Sequence, residues 1–268
     1  MVPPICDNRA MPAASSSVRP GRAWTVLIGG SRRGVVTAVL AVLVVAAAAI
    51  SPVALAVAVG LVVVAFALGW PSLIALPSAR GSAAVVLTAG LLSLGAVLWA
   101  GTLVPLIAVL AFAVIAAFVH EMGRGQGRTL LTESLAGTVT GAVAASSASG
   151  WLAIGVGAQQ DAVVLASGAS LAAAGLASAL PLVPRVTGAI AIVGAAVAGL
   201  VVGLVSPTLG ALTGAIVGVG VGLVTAALEV IFDRYPAGHR PLGGLTIATI
   251  PVVVVGIPVY GVAVLLGA

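Results

Sequence analysis

From Val35 to Gly69 the chain runs for 35 residues without a single charged side chain. As one helix, at about 1.5 Å per residue, that stretch would be roughly 50 Å long, against a hydrocarbon core of roughly 30 Å. It must therefore turn back on itself inside an apolar medium. Ser51-Pro52 is the natural break, because a proline in the first turn of a helix lacks only an N–H that would have no helical partner there. Trp70-Pro71 closes the second segment at an interface. The same reasoning divides Ser82 to Val119 at Gly101-Thr102, with Pro105 in the first turn of the next helix.

Beyond a polar island that starts at His120, further segments follow in the same way. A fifth runs from about Leu135 to Gly157, a sixth from Ala162 to about Leu182, and a seventh from Gly188 to Val205. An eighth ends near Phe232 and a ninth spans Leu245 to Leu266. The expected fold is all-α: a polytopic integral membrane helical bundle of about nine transmembrane helices, within a range of 8–10. Residues 1–33, with four prolines and Ser15-Ser16-Ser17, read as a disordered tail ahead of a transmembrane domain over 34–268.

Composition agrees with lipid as the solvent. Charged residues make up 6% of the chain, against roughly 25% in a soluble domain. The net charge of +5 has no basic surface domain to carry it, so no nucleic-acid partner is expected. All eleven basic residues are Arg. They fall in the tail and after the second, fourth, sixth and eighth segments, at Arg80, Arg124, Arg128, Arg185, Arg234 and Arg240, and none follows an odd-numbered segment. The positive-inside rule then places the N-terminus in the cytoplasm and the C-terminus outside. The expected partners are the bilayer and, for these guanidinium groups, anionic lipid headgroups. The exclusive use of Arg beside abundant Ala, Gly and Val reads as a bacterial coding bias, and hence a cell (inner) membrane location. Cys6 is the single cysteine, which excludes an internal disulfide and a thiolate metal cluster.

The polar island holds His120, Glu121, Arg124, Arg128 and Glu133. A second polar loop holds Asp233, Arg234, His239 and Arg240. Both belong to the cytoplasmic side in this topology, where convergence of His120, Glu121, Glu133, Asp233 and His239 would offer ligands to a divalent metal, as a lipid-headgroup transferase needs. Gly123-Arg124-Gly125-Gln126-Gly127-Arg128 invites a phosphate, but it lacks the Gly-Lys-Ser/Thr ending of a P-loop. A flexible positive-inside connection explains the same residues. No His-x-x-x-His or paired-Asp spacing occurs, so neither a metal nor a cofactor is expected, and no residue is assigned a catalytic role. Thr132 or Ser134 is placed to cap the fifth helix, with Glu133 beside its positive end.

Inside the membrane the polar material is sparse. Ser146, Ser147 and Ser149, with Thr138 and Thr140, form the one cluster, in segment five. Segment nine carries Pro251 and Pro258, which interrupt its hydrogen bonding; freed carbonyls of broken helices line sites in many transporters, although kinks also occur without any such role. Small residues recur every four positions at Gly210, Gly214, Gly218 and Gly222, at Ala191, Ala195, Gly199 and Gly203, and at Gly137, Gly141, Ala145 and Ser149. Such ridges let helix backbones approach closely, either within one chain or between copies in an oligomer. The two halves, segments one to four and five to eight, each end in an aromatic followed by a Gly/Arg loop. Ser-Pro turns open segments two and eight, which are not equivalent places, so common composition explains the likeness as well as duplication does.

Three functions fit this pattern. The leading one is a permease-like transporter of a small or lipidic molecule. A non-catalytic scaffold or accessory subunit of a membrane complex is the second, and a membrane-embedded lipid-headgroup transferase the third. The charged motifs of cytidylyltransferases, major-facilitator carriers and ammonium channels are absent from the sequence.

Overall fold

The computed structural model describes residues 20–124, 130–155, 158–232, 235 and 241–265, with side chains described from Arg32 onward. The tail expected over 1–33 falls partly in residues 1–19, outside the described part, and partly in the first turns of the first helix. Among the described residues there are no strands. The helices are α1 (Pro20–Ala48), α2 (Pro52–Leu73), α3 (Ala79–Ala100), α4 (Leu106–Gly123), α5 (Leu131–Ser147), the single-turn α6 (Gly150–Ala153), α7 (Ala158–Ser178), α8 (Pro184–Val205), α9 (Ala211–Phe232) and α10 (Pro241–Leu265). The molecule is a helical membrane bundle.

Seven helices, α2, α3, α4, α7, α8, α9 and α10, are long and apolar enough over their described residues to cross a membrane. The count is seven, where the sequence predicts nine. The two that fall short are α5, which ends after 17 residues, and α1, whose described side chains cover only 32–48. A helix of 17 residues reaches about 25 Å, less than a hydrocarbon core of roughly 30 Å. The chain of α5 bends at Ala148–Ser149 and resumes as α6 because the backbones of Gly150 and Gly256 are in contact there.

Several helix ends form for local reasons that the sequence carries. Ser51 caps α2, its hydroxyl accepting from Ala54 N at 3.0 Å, with Pro52 in the first turn. Gly101 closes α3 in the left-handed conformation, φ 68°. Pro184 opens α8. Pro71 lies inside α2 rather than ending it.

Contacts between helix ends show that the nine long helices alternate in direction. The middle of α1 meets the end of α7, where Gly34 touches the backbone of Gly175 and Ala179, and it meets the first half of α10, where Thr37 Oγ1 donates to Ala248 O at 2.8 Å. The end of α2 meets the starts of α10 and α5: Gly69 lies against Thr246, and Trp70 Nε1 donates to Gly137 O at 2.9 Å. Trp70 also stacks edge-on to Phe232 at the end of α9, ring centroids 6.2 Å apart. Ser78 and His120 join the start of α3 to the end of α4, and Glu121 and Ser134 join that end to the start of α5. Gly188 and Ala226 bring the start of α8 to the last turns of α9. As a consequence Arg32, Arg33, Arg80, Arg124 and Arg185, all the arginines with described side chains, belong to one end of the bundle, the arginine face. The opposite end is marked by Gly203 against Gly210 and by the packing of Val97, Leu106 and Ala153.

The core is built around α2, α10 and the α5–α6 bend, with Phe66, Trp70, Leu73, Trp151 and Val252 among its buried side chains. The α8–α9 pair is the closest in the molecule. Gly199 and Gly214 touch through their backbones, as do Gly203 and Gly210, and Gly218 sits on Ala195. The ridge of α5 works differently: Gly141 holds the indole of Trp70, and Gly137 holds Leu76 and Ile74. The two halves pack differently: α7 packs on both α8 and α9, while α2, in the corresponding place, packs on α3 and α10.

Candidate functional site

Two polar regions stand out, one at the arginine face and one inside the bundle. The first joins the starts of α3 and α5 to the end of α4. Glu121 is buried, 1% exposed, at the last turn of α4. Its carboxylate accepts from Ser134 Oγ at 2.6 Å and from Arg124 Nη1 at 2.7 Å. A buried carboxylate needs such partners, because desolvating a charge is expensive unless hydrogen bonds and an opposite charge replace water. Behind it Thr138 Oγ1 donates to Ser82 Oγ at 2.9 Å, extending the network into α3. Beside it Ser78 Oγ and His120 Nε2 lie 2.6 Å apart, and the imidazole lies on Gly81, where a methyl group would collide with the ring.

Of the island residues predicted to bind, His120, Glu121 and Arg124 are therefore together. Arg128, Asp233, Arg234, His239 and Arg240 lie outside the described residues. Among the described residues no three His, Cys, Asp or Glu side chains gather as a metal would require. The expected cap of α5 by Thr132 or Ser134 is not made. Leu130 occupies the capping position at φ 57°, and Ser134 is turned toward Glu121 because a buried carboxylate is the stronger acceptor. Ser78, Ser82 and Ser134 escaped sequence reasoning as site residues. Isolated serines at helix starts look like ordinary caps, and their partners are 42, 56 and 13 residues away.

The second region is the junction of α5–α6 with α10. Pro258 cannot donate to Val254 O, four residues back, and Ser147 Oγ donates to that carbonyl instead, at 2.9 Å. Ser147 Oγ also lies 3.4 Å from Ile257 N, which donates to it. Trp151 Nε1 donates to Val252 O at 2.8 Å. On the far side of the cluster Ser93 Oγ donates to Ser146 Oγ at 2.9 Å, and Ser149 Oγ closes onto Ser146 O at 2.7 Å. Of the three serines, Ser147 alone bonds to α10, at the carbonyl that Pro258 leaves without its helical donor. Pro251 is buried in the same helix one contact layer away. Thr140 is exposed on the lipid-facing side.

The hydroxyls of Ser93, Ser146, Ser147 and Ser149 at this junction are all engaged. Beside it lies a shallow apolar groove of about 30 Å³ between α9 and α10, lined by Val217, Val221, Val224, Val255, Pro258 and Val262 among others. Its lining is valine, glycine and proline, with no polar side chain.

No family model matches this sequence, and no curated protein or solved structure is similar to it.

Proposed function

We propose that the protein is a permease-like carrier of a lipidic molecule in the bacterial cell membrane, with its arginine face in the cytoplasm. The observation that carries this reading is the position of Pro258. The residue lines the α9–α10 groove and is also the point where α10 loses a backbone hydrogen bond that Ser147 replaces. A neutral hydrogen bond of this kind contributes only about 1 kcal/mol. Exchanging it during a swing of α10 is therefore inexpensive, and the groove beside the hinge has the apolar character of a lipid tail. The positive face supports the orientation.

Reconstitution into vesicles that contain a fluorescent phospholipid, with dithionite quenching from outside, tests the reading. The carrier reading requires quenching beyond the outer leaflet within minutes, slowed several-fold by Pro258→Ala, which restores the N–H for Val254 O. Quenching that stops at the outer leaflet, as in protein-free vesicles, would overturn it.

A further inference from the structure

We propose that Ser78 is a nucleophile activated by His120, forming an acyl-transfer site for lipid carboxylic esters at the arginine face. The proposal does not rest on the carrier reading. It uses the opposite end of the molecule from the groove's mouth and none of the residues at the α10 hinge.

Three features of the site point to chemistry. The first is the contact itself: Ser78 Oγ lies 2.6 Å from His120 Nε2, within the range a general base needs to take a hydroxyl proton. Both side chains are half-buried, so the pair is reachable from the headgroup region while held by protein. The second is what Ser78 gives up. It occupies the capping position of α3, yet makes no side-chain cap bond. A serine there ordinarily accepts from the second or third helical N–H. Here the hydroxyl is turned to His120, and among the described residues the N–H groups of Ala79, Arg80 and Gly81 have no protein acceptor. Those amides belong to the positive end of α3, whose field favours negative charge developing beside Ser78. The third is how the base is held. The imidazole packs on Gly81, where any side chain would displace it, so Gly81 is a positioning residue. The chain reaches Ser78 through Ala75 at φ 56°, a left-handed conformation that is strained for a residue with a side chain.

The reaction follows from these positions. Ser78 Oγ bonds to the ester carbonyl carbon as its proton passes to His120 Nε2, in the tautomer whose proton is on Nδ1. The tetrahedral oxyanion faces the first amides of α3. Collapse breaks the bond to the alcohol oxygen, which leaves with the proton from His120. A water molecule, deprotonated by the same nitrogen, then releases the carboxylic acid and restores Ser78. Among the described residues no carboxylate meets the other ring nitrogen, so the site is a dyad. Exposed Arg80, two residues from Ser78, suits an anionic headgroup on the substrate.

The test uses the full chain in detergent micelles and a fluorescent fluorophosphonate, whose phosphorus is attacked by an activated serine with loss of fluoride. Mass spectrometry of the wild-type protein is expected to find the label on Ser78, and heat-denatured protein should take up none. His120→Gln should label at least about 100-fold more slowly, with an unfolding midpoint that shows it is still folded. Native wild-type protein that stays unlabelled, or is labelled only elsewhere, overturns the proposal without reference to any variant. Labelling of Ser78 at an unchanged rate in His120→Gln overturns the role of the histidine. None of these results bears on lipid movement in vesicles, so the two readings fail separately.

Discussion

Glu121 is the residue on which the arginine face is organised. It is the one carboxylate among the described residues that is fully buried, and its two acceptor bonds come from different sources, Ser134 on α5 and Arg124 one turn on. Removing the Ser134 hydroxyl leaves a buried carboxylate short of a donor, so Ser134→Ala should lower stability by about 1.5–3 kcal/mol, read as a drop in unfolding midpoint in detergent. Arg124 is 22% exposed, and water can replace part of its contribution, so Arg124→Gln should cost less than Ser134→Ala. Trp70→Phe keeps the aromatic contact with Phe232 but loses the bond to Gly137 O, and should cost about 1 kcal/mol by the same measurement. At this scale the sequence was half legible. His120, Glu121 and Arg124 could be picked out because charge is rare in this chain. Their serine partners could not, because a hydroxyl at a helix start has a cheaper local use, and only the tertiary fold shows that Ser78 and Ser134 decline it.

At the scale of the helix, breaks and close approaches were the readable features. Ser51-Pro52, Gly101 and Pro184 end or begin helices because each removes or supplies one backbone bond locally, with no help from distant residues. The four-residue spacing in α8 and α9 likewise reports its own packing, since a helix with a glycine ridge presents bare backbone. That contact has no space for a side chain: Gly214→Leu should push α8 from α9 and lower the unfolding midpoint far more than Gly220→Leu, whose site is open. The equal spacing in α5 misled, because what a small-residue ridge receives depends on its neighbour, and α2 offers Trp70 instead of a second ridge. The length of α5 was overestimated for a related reason. Hydropathy continues smoothly through Ser146–Gly157, but the backbone contact between Gly150 and Gly256 bends the chain there. Nothing local to α5 records the approach of α10.

The whole molecule is ordered by the alternation of its helices. Every arginine with a described side chain belongs to the same end as His120 and Glu121, while the Ser51, Gly101 and Ser206 turns belong to the other. This arrangement was legible because parity is a global constraint read from local breaks: one misplaced turn would scatter arginines over both ends. Both proposals use it. The carrier hinge lies toward the end opposite the arginines, and the Ser78–His120 pair lies at the arginine face. The direct measurement is cysteine accessibility in sealed vesicles of known orientation. In a Cys6→Ser background, single cysteines at Ser51, Arg80, Arg185 and Ser206 are treated with a membrane-impermeant maleimide. The account predicts that Arg80→Cys and Arg185→Cys label together from the cytoplasmic side, and that Ser51→Cys and Ser206→Cys label together from the other. Reaction of the Arg80 and Arg185 positions from opposite sides would contradict it.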